Sequence, residues 1–113
     1  MLDADHPLFV RVVDRRKITD YLLSQASAKA DSRYRFFTSF GFDPDDPQRL
    51  IDAIHRHPET GLVTRLPDDA YGQRWNVVGP ISTPDGRNPV IRTGWIKDAA
   101  GPARFITAIP QAE

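Results

Sequence analysis

The sequence contains no cysteine and has no long apolar segment. The lack of cysteine excludes disulfide bonds, thiolate metal sites and a cysteine nucleophile. No apolar run approaches the ~20 residues that a membrane-spanning helix needs. The first six residues are acidic, and they lack the basic start and apolar stretch of a signal peptide. We therefore expect a cytoplasmic protein without a membrane partner.

The net charge is zero, because 15 Lys and Arg residues balance 15 Asp and Glu residues. This balance argues against a strong, sequence-independent binder of polyanions. The charges are unevenly spread, since residues 43–69 are acidic and both flanks are mildly basic. Arg outnumbers Lys, which suits bidentate phosphate contacts, although a GC-rich genome would give the same ratio.

What is present indicates one domain over residues 1–113. The hydrophobic share of 40 % and the charged share of 27 % are typical of a globular domain. A helical half, about 15–57, precedes a strand half, about 61–110, which is an α+β order. We predict three N-terminal helices packed on one face of a four-stranded antiparallel β-meander.

The helical half has clear start and stop signals. Asp14 is a candidate N-cap for a helix that runs to residue 23. The second helix begins at residue 31 or 32, and Gly41 fits the left-handed position after its end, with Phe42 folding back in a Schellman contact. The third helix begins at Asp46 and ends at Pro58.

The strand half contains four segments of strand-like composition. We predict strands over residues 62–66, 73–78, 90–97 and 104–109. Residues 8–13 form a short apolar run that fits either a strand or an extended arm. The predicted core includes Tyr21, Phe37, Phe40, Leu50, Ile54 and Trp95.

Two strand residues are candidates for phosphate chemistry. Alternation places Arg92 on the face opposite Trp95, beside Gly94, where there is room for the backbone of a ligand. An arginine there could stabilise charge in a phosphoryl-transfer transition state, or simply form a surface ion pair. Thr107 in the last strand could contact a phosphate oxygen, or be a plain β-forming residue.

Further cations cluster in the helical half. Lys17 follows Arg15 and Arg16 in the first turn of helix one, where cations oppose the helix dipole. These three cations form either a binding site or a group of solvated charges. Arg33 precedes a pair of phenylalanines, in the basic and aromatic mixture typical of nucleic-acid surfaces, although those aromatics also suit the core. Four more cations are assigned to substrate binding, namely Arg16, Lys29, Arg35 and Lys97.

The histidines do not form a metal site. His55 and His57 are two residues apart on a predicted helix, so they point to nearly opposite sides. We expect His57 to be a cation at the helix C-terminus, with a role as general base as the alternative. No metal site or cofactor is predicted, since motifs such as HExxH and the phosphate-binding loop are absent.

Several short motifs together resemble a known family. They are Lys17–Leu23, Arg33 with Phe36, Phe37, Gly41 and Phe42, then Val78–Pro80, Arg92 with Thr93, Trp95 and Ile96, and Ile106 with Thr107, Ala108 and Pro110. Over residues 12–110 they resemble small uncharacterised bacterial domains that occur alone, often beside an antitoxin-like protein, or as the C-terminal tips of secreted proteins. Those domains are similar to RNase toxins of the barnase, EndoU, colicin and RelE type.

The chain departs from that family's pattern in one loop. The pattern has a His and a Gly before the phenylalanine pair, whereas this chain has Ser27 and Ala30. It also has Arg33 where a Lys is usual. If the missing His is the general base, its loss implies either binding without catalysis or catalysis that uses another residue.

Two hypotheses follow. The first is a metal-independent endoribonuclease of toxin type, with RNA as substrate and a cognate antitoxin or immunity protein as partner. Its catalytic residues would be Lys17, Arg33, Arg92 and Thr107. The second is a non-catalytic module that uses the same sheet face to bind a protein or nucleic acid.

Overall fold

The structure, a computed structural model, describes residues 2–24 and 28–111. Its described part is α+β. The helical elements are α1 (Arg15–Lys17), a π-helical turn (Ile18–Leu22), α2 (Ala28–Ser39) and α3 (Pro47–Thr60). The strands are β1 (Arg11–Val12), β2 (Leu62–Asp69), β3 (Gly72–Pro80), β4 (Val90–Lys97) and β5 (Ala103–Pro110).

The predicted four-stranded antiparallel sheet is wrong. The described strands form one mixed sheet of five strands in the order β1-β5-β4-β3-β2. Strands β2 to β5 pair antiparallel with their sequence neighbours, but β1 pairs parallel with β5, with Arg11 opposite Ala103. The added strand comes from the apolar run at 8–13, and its partner lies at the far end of the sequence, where no local pattern marks the pairing.

The first helix is correctly capped but differs in type from the prediction. The Asp14 side chain accepts a hydrogen bond from the backbone N–H of Arg16 at 2.9 Å. After α1 the helix widens, and the N–H of Leu23 reaches the carbonyl of Ile18 at 2.7 Å. This bond spans five residues, which defines a π turn, and such turns are frequent at functional sites.

The end of α2 matches the prediction. Gly41 has a φ of +100°, and the N–H of Phe42 donates to the carbonyl of Phe37 at 3.3 Å. The rings of these two phenylalanines lie 6.2 Å apart, so the hydrophobic contact of a Schellman motif is present. By contrast, α3 does not end at Pro58, which is buried inside its last turn.

The core lies between α3 and one face of the sheet. Of the six predicted core residues, Phe37, Leu50, Ile54 and Trp95 are fully buried. Tyr21 and Phe40 are half-buried.

A β-bulge sets which face of β5 carries which side chain. Trp95 pairs with Phe105, but the preceding residue, Gly94, pairs with Thr107, so Ile106 is an extra residue in β5. Phe105 is therefore in the core with Trp95, whereas Thr107 shares the opposite face with Gly94. A bulge of this kind re-aims side chains and is common next to active sites.

Candidate functional site

The face of the sheet opposite the core is accessible at its centre. We call it the open face, and it consists of Asn76 and Val78 of β3, Arg92 and Gly94 of β4, and Thr107 and Ile109 of β5. All of these except Gly94 are half-buried, whereas their neighbours along each strand alternate into the core.

Arg92 lies mid-sheet on the open face, with Val78 and Ile109 as its cross-strand neighbours. Within residues 2–24 and 28–111 its guanidinium has no ion pair and no hydrogen bond. The exposed Arg87, in contrast, is paired with Asp85. The interpretation of Arg92 as one half of a surface ion pair therefore does not hold, and its guanidinium can bind an incoming anion.

Thr107 lies close to Arg92 on the same face. It is opposite Gly94, and Arg92 is two residues from Gly94 on the same strand. Diagonal neighbours of this kind lie about 7–8 Å apart, within reach of an arginine side chain. The two residues were predicted as a phosphate-binding pair, and the strand register places them side by side.

The hydroxyl of Thr107 is bonded to a residue from the helical half. Its Oγ1 lies 3.1 Å from the hydroxyl oxygen of Tyr21 in the π turn, and either oxygen can be the donor. The guanidinium of Arg33 lies over the ring of Tyr21, 4.3 Å from the centre of the ring. This is a cation–π contact, and it connects two of the predicted site residues through one tyrosine.

Lys17 lines two adjoining pockets. Val12, Ile96, Arg104 and Ile106 line the first, and Tyr21 lines the second. Two carboxylates, Asp14 and Asp20, also line it. The hydrogen bond from the Arg16 backbone lowers the pKa of Asp14, so this carboxyl stays ionised and offsets part of the positive charge.

The four predicted substrate-binding cations are dispersed. Arg16 is exposed and lies 3.6 Å from Asp14, and Arg35 is paired with Asp31 on α2 at 2.9 Å. Lys97 lies at the far end of β4 from Arg92, and its Nζ donates to the carbonyl of Asp98. Lys29 lies in the first turn of α2, and its side chain is outside the described part of the structure. Among those whose side chains the structure describes, Arg16 lines a pocket together with Lys17.

His57 is a core residue rather than a helix-terminal cation or a general base. It is 2 % exposed, and its Nε2 lies 2.9 Å from the carbonyl oxygen of Gly79. A carbonyl only accepts, so Nε2 carries the proton, and Nδ1 accepts from the Thr93 hydroxyl at 2.8 Å. That hydroxyl in turn accepts from the indole N–H of Trp95 at 2.9 Å.

These hydrogen bonds form a relay that runs from Trp95 through Thr93 and His57 to the carbonyl of Gly79. The buried relay keeps the imidazole neutral. Burial lowers the pKa of His57, and the hydrogen bond to Gly79 opposes this only in part. The other two histidines are also engaged away from the open face: His6 Nδ1 accepts from the N–H of Leu8, and His55 Nε2 lies 3.2 Å from the carbonyl of Arg11.

Two residues of the site were missed at the level of sequence. Tyr21 was assigned to the core alone, yet its hydroxyl reaches Thr107; its position four residues after Lys17 was the available signal, since such residues share a helix face. Asn76 was not considered, because nothing in a short strand distinguishes a ligand-facing amide from a solvated one.

The described ranges contain neither a candidate metal site nor a candidate membrane-spanning helix. No group of three or more His, Asp or Glu residues there could hold a metal ion. No helix in the same ranges is long and apolar enough to cross a membrane.

The sequence matches one family over almost its entire length. The model of the family described as Domain of unknown function (DUF6883) matches residues 9–112, so the chain belongs to this family. None of the curated proteins is similar enough to count as a match.

A solved structure shares the fold. It is described as a contact-dependent growth inhibition toxin–immunity protein complex from Klebsiella pneumoniae 342, and one of its chains is similar with a TM-score of 0.71 and 23 % sequence identity. The similarity covers 88 % of this chain and 99 % of that chain. The chain therefore shares its fold with one chain of that complex.

Proposed function

We propose that the chain is a toxin-type domain that cleaves RNA at its open face. The observation that carries the proposal is the hydrogen-bonded pair of Tyr21 and Thr107, with Arg33 stacked on the tyrosine and the unpaired Arg92 on the same sheet face. The similarity in fold to a chain from a toxin–immunity complex supports the toxin class.

The chemistry is an internal transfer within RNA. The 2′-oxygen attacks the adjacent phosphorus, the bond from phosphorus to the 5′-oxygen breaks, and the products carry a 2′,3′-cyclic phosphate and a 5′-hydroxyl. One proton leaves the 2′-oxygen and one is added to the 5′-oxygen, so the site needs a proton-transfer group. It also needs positive charge for the pentacoordinate phosphate.

The residues divide between these tasks. Tyr21 and Thr107 form the pair through which a proton can move, because each hydroxyl both donates and accepts. Arg92 and Arg33 supply fixed positive charge, which arginine retains at any relevant pH. Lys17 lines the same pocket as Tyr21, where it can contact the next phosphate of the strand.

The test is cleavage of a defined RNA by the purified chain in EDTA, with analysis of the product ends. We expect cyclic phosphate ends and a rate that survives the chelator, because every step uses protein groups. Arg92→Ala should lower kcat by about 10²-fold or more. Tyr21→Phe, which retains the ring under Arg33, should lower it by about 10²–10⁴-fold.

Matched controls separate the site from general damage. Arg56→Ala removes an exposed arginine from α3, on the helical side of the molecule, and Tyr71→Phe removes a hydroxyl from a tyrosine that is 75 % exposed. Both should cleave at the rate of the unaltered chain. Equal loss in Arg56→Ala and Arg92→Ala would contradict a specific role for the open face.

A second function, binding without cleavage, is favoured by a different observation. The open face itself carries no carboxylate and no imidazole, and the three histidines lie elsewhere. Ser27, the residue at the position of the family's loop His, is outside the described residues. In this case the chain would bind RNA or an immunity-type protein without cleaving it, and Arg92→Ala would change affinity alone.

A growth assay separates toxin from binding module in the cell. Induced expression of an RNase toxin arrests a bacterial host, and Arg92→Ala at equal protein level should restore growth. Co-expression of a cognate immunity protein should restore it as well, and an acidic surface on that protein would complement Arg92. Normal growth and intact RNA at high expression would exclude the toxin function.

A further inference from the structure

A small pocket on the open face shares Thr107 with the proposed catalytic pair, and no ligand has yet been assigned to it. It lies between β2, β3, β4 and β5, has a volume of about 90 Å³, and is open to solvent. Its polar groups are Asn76, Thr107 and Arg74, which is ion-paired with Asp69. Gly94 also lines it, and Leu66 and Ile106 are among its apolar residues.

Asn76 presents an unused amide to this pocket. The side chain is half-buried, and within the described residues it has no hydrogen-bond partner. The amide of Asn88, in contrast, is bonded to Thr83 and holds a loop together. An amide offers two donors and one acceptor oxygen, so Asn76 is free to recognise a group that both donates and accepts.

Gly94 keeps the pocket open. A Cβ at this position would lie 3.3 Å from Cγ2 of Thr107 and 3.9 Å from Oδ1 of Asn76. The backbone of Gly94 does not have a positive φ, so its conformation does not require glycine. The absence of a side chain at Gly94 therefore leaves room for a ligand between Asn76 and Thr107.

The size of the pocket restricts the ligand. One water occupies about 30 Å³ in the liquid, so the pocket holds roughly three waters. That is enough for the hydroxyl-bearing edge of a sugar, and the walls of Leu66 and Ile106 suit the carbon face of the ring. The 2′-hydroxyl of ribose is both donor and acceptor, and it is the group that distinguishes RNA from DNA.

We propose that this pocket binds the ribose of the cleaved nucleotide, with Asn76 as the residue that recognises its 2′-hydroxyl. The inference rests on the proposed RNA function and adds the basis of its selectivity for RNA. Thr107, on the other side of the pocket, connects the bound hydroxyl to Tyr21. Asn76 is thus a recognition and positioning residue, and the pocket holds the nucleophile next to the groups that take its proton.

The test compares binding of one single-stranded RNA with DNA of the same sequence, by fluorescence anisotropy. It uses the Tyr21→Phe chain, in which we expect cleavage to be slow enough for binding to be measured. We expect this chain to prefer RNA, and the added Asn76→Ala change to lower RNA affinity by about three- to tenfold, the worth of one hydrogen bond. Affinity for DNA should not change.

Controls separate the pocket from the rest of the face. Gln73→Ala removes an amide from the same strand, on the side that alternates with Asn76, and should preserve the preference for RNA. Gly94→Ala should reduce the preference by filling the pocket. Arg92→Ala should weaken RNA and DNA equally, since it contacts phosphate.

The outcomes distinguish the two proposals. If RNA is still preferred after Asn76→Ala, or if the starting chain binds RNA and DNA equally, the pocket inference is overturned while the open face remains a nucleic-acid site. If the unaltered chain neither binds nor cleaves RNA, the proposed function itself fails.

Discussion

Removal of one buried hydroxyl should destabilise the chain strongly, because two partners depend on it. Thr93 is fully buried, accepts from the Trp95 indole and donates to His57. Thr93→Val preserves the shape of the side chain but leaves a buried donor and a buried acceptor unpaired. Each costs about 1–3 kcal/mol, so we expect a loss of about 2–5 kcal/mol, a large part of the ~5–15 kcal/mol typical of a domain.

The assay is urea unfolding followed by tryptophan fluorescence. We expect a lower midpoint with an unchanged slope, since the surface exposed on unfolding stays the same. Thr64→Val is the matched control, because Thr64 is an exposed threonine of β2; it should stay within about 0.5 kcal/mol of the unaltered chain. A loss below that limit for Thr93→Val would refute the reasoning that the relay is fully formed and dry.

The same relay predicts a pH dependence. Burial lowers the pKa of His57 below its ordinary value of 6.5. The imidazole therefore binds a proton more readily in the unfolded chain than in the folded chain. The stability due to the neutral imidazole is present above pH 6.5 and is lost as the pH falls below it. Unfolding free energies at pH 5 and pH 7 should therefore differ less in His57→Gln; an unchanged difference would contradict this. Gly72→Ala should cost about 2–4 kcal/mol, because φ is +139° and the added Cβ meets the backbone carbonyl of Lys97. Gly86→Ala, with φ +79° and open space around it, should cost about 1 kcal/mol in the same urea unfolding assay; equal costs would refute the steric argument.

Local rules predicted the parts of the fold that are decided locally. The Asp14 cap and the stop at Gly41 and Phe42 each depend on residues within one helical turn, and each was found as predicted. Phe37 and Trp95 were placed in the core by periodicity alone. In these cases the sequence pattern and the final packing agree, because the same short segment determines both.

The errors arose where distant segments decide the structure. Pairing of β1 with β5 depends on contacts between opposite ends of the sequence, so a four-stranded sheet was predicted. Ile18 and Leu22 of the π turn are both buried, and helical propensity does not reveal that this turn is π rather than α. His57 was expected to be a cation at the helix C-terminus because a proline follows it, but α3 continues past that proline and the imidazole lies in the core.

The candidate site was predictable only by residue type. Arg92 and Thr107 were singled out from one face of two strands, and the register places them next to each other. Tyr21 joined them only through the tertiary structure, since a residue with an apolar ring and a polar tip fits a core pattern and a site equally well.

Assembly of the site depends on the short strand β1, which has the fewest paired residues of any strand in the described sheet. It pairs at two positions only, and it leads directly into α1 and the turn that carries Tyr21. Joining segments so far apart in sequence costs chain entropy for few bonds in return, so release of this strand is the easiest way for the sheet to open.

Each such release would separate Tyr21 from Thr107 while β2 to β5 stay paired. What opposes it is Arg11, whose buried guanidinium donates to the carbonyls of Leu8 and His55 and pairs with Glu59 on α3. The fraction of time in which the two hydroxyls face each other is therefore governed by a residue that touches neither of them.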